Sequence, residues 1–170
     1  MKQLYFCRHG LSEFGVEGRW AGSSDSPLAP EGRTQAKKAA RQAQVLHIDH
    51  IVSSPLSRAL DTARIIAEEI GYPAEKIEVN DLTVERDFGE LEGGPFNPHA
   101  NVSKAAGVEP LDVLLRRARV TLKHLNSLDA DVVLVVSHGS FGRALRHAIN
   151  PKIPFSKVKR FENAEIVRLI

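Results

Sequence analysis

Apolar and polar positions along the chain fall into short blocks whose spacing changes from one block to the next. Leu4 to Cys7 is a compact, β-prone apolar run followed by a glycine-containing polar stretch, the pattern of a buried strand feeding a loop. Gly10 to Pro30 is rich in Gly, Ser and Pro and predicts a long loop, and a loop of that length inside a small domain is usually functional. From Glu31 to about Leu46 the composition turns to Ala, Gln, Lys and Arg, with Ala36, Ala39, Ala40 and Ala43 at helical spacing. His50 to Ser53 reads as a second strand, Ser57 to Ile70 as a helix that Gly71 and Pro73 end, and Ile77 to Val79 as a short third strand. Glu85 to Pro110 carries Gly89, Gly93, Gly94, Pro95, Pro98 and Gly107 and reads as mostly irregular. Leu114, Leu115, Ala118, Leu122 and Leu125 then share one face of a helix running from Leu111 to near Ser127.

The strongest strand signal lies within Asp131 to Ser137, where Val132-Val133-Leu134-Val135-Val136 is apolar at every position. A strand of that kind is covered on both faces. Ser140 to Ile149 reads as a helix and Glu165 to Ile170 as a last strand. This alternation predicts an α/β fold, a three-layer sandwich around a largely parallel central sheet, with residues 1–170 in a single domain. Ligands of such folds bind beyond the carboxyl ends of the strands.

Composition and charge narrow the function classes. A chain of 170 residues with 42% apolar content can enclose one core. Its 23 basic and 21 acidic residues are interspersed, which points away from a nucleic-acid or membrane surface. A few arginines gathered by the fold would still suffice for a small anionic substrate. Cys7 is the sole cysteine, so no intramolecular disulfide can form; alternation along its strand turns it away from Arg8, into the core. A reducing, cytoplasmic setting is the default, and the apolar run before Arg8 is too short for a signal peptide or a membrane span.

Four segments place reactive side chains where strand ends should be. Arg8-His9-Gly10 follows the first strand and Ser137-His138-Gly139 follows the valine-rich one. A lone His beside an Arg is most often a surface or hydrogen-bonded structural residue, although the exit of a buried strand is a better place for function. Ser53 to Ala59 spans a strand-to-helix junction with Arg58 in the first helical turn, where a cation opposes the helix dipole and a bound anion would relieve it. Glu85 to Gly93 sets acids beside glycines; Asp87, Glu90 and Glu92 read as a solvated turn.

Taken together, Arg8, His9, Gly10, Arg58, Glu85, His138 and Gly139 resemble the motif set of the histidine phosphatase superfamily, which includes cofactor-dependent phosphoglycerate mutases and many small phosphatases. Glu17-Gly18-Arg19-Trp20-Ala21-Gly22, Gly32-Arg33-Thr34-Gln35-Ala36 and Arg58-Ala59-Leu60-Asp61-Thr62-Ala63 add to the resemblance, which runs in order from Tyr5 to about Gly139. It implies a phosphoglycerate mutase-like fold and a metal-independent phosphatase without a cofactor, acting on a small phosphorylated substrate. His9 would be the nucleophile, with its second ring nitrogen bonded to a backbone carbonyl. Arg8 and Arg58 would grip the phosphoryl oxygens, His138 would add a third donor, and amides at the helix start after Gly139 would contribute more. Glu85 would be the leaving-group acid, and Ser12 keeps a hydroxyl for the phosphate.

The sequence departs from the family at Leu11, where many members are acidic, at Gly15, often Asn, and at Ala21, a hydroxyl residue in mutases. The short interval from Arg86 to Ser137 favours hydrolysis over a phosphoglycerate mutase-type transfer; a phosphohistidine-directed regulatory phosphatase, acting on another phosphorylated protein, is compatible with so small a lid and stands as the alternative. Arg116 and Arg117 could clamp a substrate carboxylate, though neighbouring helix residues point about 100° apart. A sugar phosphate, phosphoserine, a nucleotide-derived phosphate and phosphoglycerate would all fit an arginine-lined pocket.

Overall fold

The computed structural model of the chain describes Met1 and residues 3–170. Among these, β1 (Gln3–Arg8), β2 (His50–Ser53), β3 (Glu78–Val79), β4 (Val132–Ser137) and β5 (Ile166–Arg168) form one sheet in the order β3-β2-β4-β1-β5. Every neighbouring pair is parallel except β1 and β5, which are antiparallel. The expected largely parallel sheet is therefore present, with β5 as its one reversed edge.

Strand alternation sorts the core into two halves. Leu4 and Phe6 of β1, Val52 of β2, and Val133 and Val135 of β4 face α4 (Leu111–Ser127) and α5 (Gly139–Ile149), where they meet Leu114, Ala118, Leu125, Phe141 and Leu145. Cys7, Ile51, Leu134 and Val136 point to the opposite face. There they pack on α2 (Pro30–Ala43) and α3 (Ser57–Ile70), through Ala39, Ala40, Ala43, Ala63, Ile66 and Ala67. Helices cover both faces, which is why β4 is apolar throughout and fully buried along its length.

The differences from expectation are local. Helix α2 begins at Pro30, where a missing N–H costs nothing in the first turn, and it ends at Ala43 instead of running to Leu46. The 10–30 loop contains a single-turn helix, α1 (Glu13–Val16), because the Ser12 hydroxyl caps it by accepting the Gly15 N–H at 3.2 Å. Two 3₁₀ turns, Gly89–Leu91 and Val102–Lys104, interrupt the irregular stretch before α4.

Register then positions the site. Arg8 pairs with Ser137 across β1 and β4, so His9 and His138 leave adjacent parallel strands side by side. On the other side of β4 the Ser54 N–H donates to the Val136 carbonyl at 3.0 Å, which sets Ser54 next to His138. The chain after His9 lies against α2 at Gly10 and Gly32, where a Cβ on Gly32 would overlap the Leu11 carbonyl oxygen, a backbone atom that cannot rotate aside. Gly32→Ala is expected to lower stability by ~1–3 kcal/mol in urea unfolding, as overpacked sites do; an unchanged midpoint would contradict this close approach.

Candidate active site

Three strand ends stand in a row above the sheet. His138, in the middle, is fully buried, with its Nε2 2.8 Å from the Ser54 hydroxyl on one side and the His9 ring on the other, 5.1 Å between centroids. His9 is 7% exposed, just enough to face a cleft. Its Nδ1 lies 2.6 Å from the Gly10 carbonyl oxygen, an acceptor only, so Nδ1 carries the ring proton and Nε2 keeps its lone pair. That lone pair accepts the Arg58 Nε–H at 3.2 Å.

Arg58 comes from the first turn of α3 and is 1% exposed. Its other two nitrogens donate to the carbonyls of Ser24, at 2.8 Å, and Gly22, at 2.6 Å. Thr62, one helical turn further on, accepts the Gly10 N–H at 3.1 Å and donates to the Arg58 carbonyl at 2.7 Å, tying the chain after His9 to the helix that carries Arg58. Asp25 accepts from the Ser57 N–H at 2.8 Å and from the Ser57 hydroxyl at 2.7 Å. The anion that relieves the N-terminus of α3 is thus a carboxylate of the protein itself.

Arg8 donates from Nη1 to the Phe161 carbonyl at 3.0 Å, while its buried Nε has no partner among the described residues. His138 Nδ1 is the other buried side-chain polar atom in that condition. Glu85 is held by three backbone amides: Arg86 at 2.8 Å and Phe141 at 3.0 Å on Oε1, and Ser140 at 3.0 Å on Oε2. The Ser140 and Phe141 amides in the first turn of α5, expected to serve phosphate, instead serve Glu85.

Arg8, His9, Ser12, Arg58, Glu85 and Gly139 line one cleft of about 330 Å³, and His138 stands behind it without lining it. Ser12 has its oxygen engaged with Gly15 and keeps its hydroxyl proton free to donate. Cys7 is buried in the core, and burial pushes its thiol up to about 12, so it takes no part as a nucleophile.

Two readings are corrected. Glu92 is no solvated carboxylate: it accepts from the Ser23 N–H at 2.8 Å, the Ser24 N–H at 3.0 Å, both serine hydroxyls and the Phe88 N–H at 3.0 Å. It thereby shapes the turn whose carbonyls hold Arg58. Arg117 clamps no substrate, because its guanidinium forks onto Glu109 at 2.7 and 2.9 Å and braces the Val84 carbonyl at 3.1 Å. Arg116 is exposed and pairs with Asp112. Asp87 and Glu90 keep the expected turn roles, accepting the Gly89 and Ala106 amides.

Sequence reasoning missed Arg143, Arg160 and Phe96, which with Arg86, Trp20 and Phe88 make the outer wall of the cleft. Trp20 lies 4.7 Å from each of the two phenylalanine rings. Only Arg143 had a readable signal, standing one helical turn beyond Gly139 on the same face. Among the described residues, no group of three His, Cys, Asp or Glu side chains is arranged to hold a metal ion, and no helix is long and apolar enough to cross a membrane.

Both histidines are held well below the usual imidazole range. For His9 the causes are burial first, then the charges of Arg58 and Arg8, against which the Gly10 carbonyl works weakly. For His138 they are burial, then Arg58, His9, Arg8 and Arg117. In the unfolded chain both take up a proton below about pH 6.5, while in the fold they stay neutral. The unfolded state then binds more protons, so stability is complete above pH 6.5 and falls as pH drops below it, by up to ~1.4 kcal/mol per unit for each histidine. Urea unfolding at pH 7 and pH 5.5 should show this loss, and His138→Gln should shrink it; a slope that His138→Gln leaves unchanged would contradict a buried neutral His138.

Comparison with known proteins agrees with this geometry. Residues 4–170 match the histidine phosphatase superfamily (branch 1). The uncharacterized phosphatase PhoE of Bacillus subtilis (strain 168) is 31% identical over 168 residues, covering 96% of this chain and 86% of its own length. Probable phosphoglycerate mutase GpmB of Enterobacter sp. (strain 638) is 42% identical over 92 residues, which cover 54% of this chain but only 41% of the mutase. A solved mycobacterial glucosyl-3-phosphoglycerate phosphatase complexed with VO3 superposes with a TM-score of 0.86 at 27% identity, covering 99% of this chain and 92% of its own. With the family pattern matched over nearly its whole length and the motif side chains gathered at the strand ends, the chain belongs to the histidine phosphatase superfamily.

Proposed function

We propose that the chain is a metal-independent phosphatase that hydrolyses a small phosphomonoester through a phosphohistidine on His9. The observation that carries this reading is the neutral His9 ring, with Nδ1 tied to Gly10 and the Nε2 lone pair facing an arginine-lined cleft. The phosphoryl group enters beside Arg8 Nε, whose buried N–H lacks an acceptor among the described residues, and beside Arg58, whose Nε–H hydrogen bond passes from His9 to a phosphoryl oxygen and frees the lone pair. His138 stands behind the cleft; with the Ser54 hydroxyl donating to its Nε2, the proton sits on Nδ1, which has no partner among the described residues and serves as third donor to a phosphoryl oxygen pressed against the back of the cleft.

Attack then forms the N–P bond as the bond from phosphorus to the ester oxygen breaks. Glu85 gives its proton to the departing oxygen, releasing an alcohol. In the second step Glu85 takes a proton from a water that attacks phosphorus, the N–P bond breaks, and inorganic phosphate leaves. The open cleft and the short 86–137 interval, with α4 as its one long element, favour water as acceptor over a second substrate molecule.

Two measurements test the reading. With an alkyl phosphate, Glu85→Gln should slow phosphate release by ~10²–10⁴, and much less with a nitrophenyl phosphate, whose leaving group hardly needs a proton; equal losses would remove Glu85 from the acid role. Activity should persist in excess chelator, and its reversible loss there would overturn the metal-independent chemistry. Transfer of the phosphoryl group to a second alcohol without release of inorganic phosphate would identify a mutase instead.

A further inference from the structure

Arg8, His9 and Arg58 account for the phosphoryl end of the cleft, but the cleft holds more cations than that end uses. Arg143 and Arg160 line it as well, and Glu85 is the only carboxylate among the lining residues, its oxygens already taken by backbone amides. Arg143 is fixed in place: Nε donates to the Val158 carbonyl at 3.1 Å, Nη2 donates to the Phe155 carbonyl at 2.8 Å, and the guanidinium lies 4.3 Å from the Phe155 ring centroid. Its Nη1 has no acceptor among the described residues. Arg160 is exposed at the cleft wall and has neither a hydrogen-bond acceptor nor a carboxylate partner among them.

These cations stand close enough to disfavour one another. Burial does most to pull down the basicity of Arg143 and Arg8, and the charge of Arg160 adds to it at both; at Arg143 Glu85 partly offsets that charge, while at Arg8 Glu85 and Glu162 each outweigh it. The segment carrying Arg160 adds Lys152, Lys157 and Lys159 and contains no Asp or Glu from Pro151 to Arg160. Unpaired like charges at a cleft wall cost free energy that an anion between them would return.

Helix α5 sets the spacing. A Cβ at Gly139 would lie 3.9 Å from Arg8 Cζ and 3.8 Å from Glu85 Oε2, so Gly139 marks the phosphoryl end. Arg143 follows four residues later on the same face, about 5–6 Å further along the axis. We infer that Arg143 and Arg160 form a second anion subsite, so that the preferred substrate is a small phosphomonoester with a second anionic group about one helical turn from its phosphoryl group. This rests on the phosphatase reading for the identity of the reacting end, and it assigns substrate selection to two side chains outside the motif set.

The test is binding, so it does not depend on turnover. Calorimetric titration compares butylphosphonate with analogues of matched spacing ending in a carboxylate or a second phosphonate, none of which can be hydrolysed. At least one charged analogue should bind about 10-fold or more tighter than butylphosphonate, and the analogue that gains more identifies the anion. Arg160→Gln should bring that ratio close to one, while Arg116→Gln, on the exposed face of α4, should keep it. Equal binding of all three ligands, or a ratio unchanged in Arg160→Gln, would overturn the second subsite. Phosphate release from any phosphomonoester is scored separately, so a failed subsite and a failed phosphatase reading give different results.

Discussion

A guanidinium withdrawn from water must have its donors met, and Arg58 is the largest of the fully buried side chains. Leaving one such donor unmet costs roughly 1–3 kcal/mol or more for a charged group. The structure meets three of them with the carbonyls of Gly22 and Ser24 and with the lone pair of His9. Burial pulls Arg58 down from the usual guanidinium range, and Glu85, Asp25 and Glu92 oppose it. The turn at residues 22–24 is bent around this side chain. Gly22 takes φ +51°, where a Cβ would also strike Glu92, and Glu92 gathers the amides and hydroxyls of Ser23 and Ser24. A carboxylate distant in sequence thus fixes the arginine that fixes the histidine.

The same economy governs the helix ends that point at the cleft. Neither α3 nor α5 has an acidic residue in its first turn or a side-chain N-cap of its own. Each takes a carboxylate from a loop instead, Asp25 for α3 and Glu85 for α5. For Glu85 this has a chemical consequence, since amides on both oxygens hold the carboxyl group at one place beside Arg8 and Gly139. Glu85 and Asp25 are where the packing of the fold and the chemistry of the cleft meet.

Much of this could be read from the chain because it follows from periodicity. The valine run announced a doubly covered strand, the alanine spacing announced α2, and the reactive residues stood at strand exits, where adjacent parallel register brings His9 and His138 together. The resemblance carried the motif residues to their places. What could not be read depends on distant partners. Glu92 resembles a surface acid until Ser23 and Ser24 are seen folded onto it, and the start of α5 reads as free to bind phosphate until Glu85 is found on its Ser140 and Phe141 amides. The placement of His138 behind the cleft follows from its central position in the row of strand ends, a matter of sheet order that no local pattern records.

The central claim is that the neutral His9 ring attacks phosphorus through Nε2 because Nδ1 is committed to the Gly10 carbonyl. Rapid mixing with a ³²P-labelled phosphomonoester, quenching in alkali to preserve acid-labile phosphoramidates, and mapping of the labelled peptide tests it most directly. Label should appear on His9 alone, on the nitrogen remote from the backbone, should be absent from His9→Ala, and should form more slowly but on the same residue in His138→Ala. Label on His138, label on His9 Nδ1, or no label in a turning-over enzyme would contradict the mechanism, the last by pointing to direct attack of water on the ester.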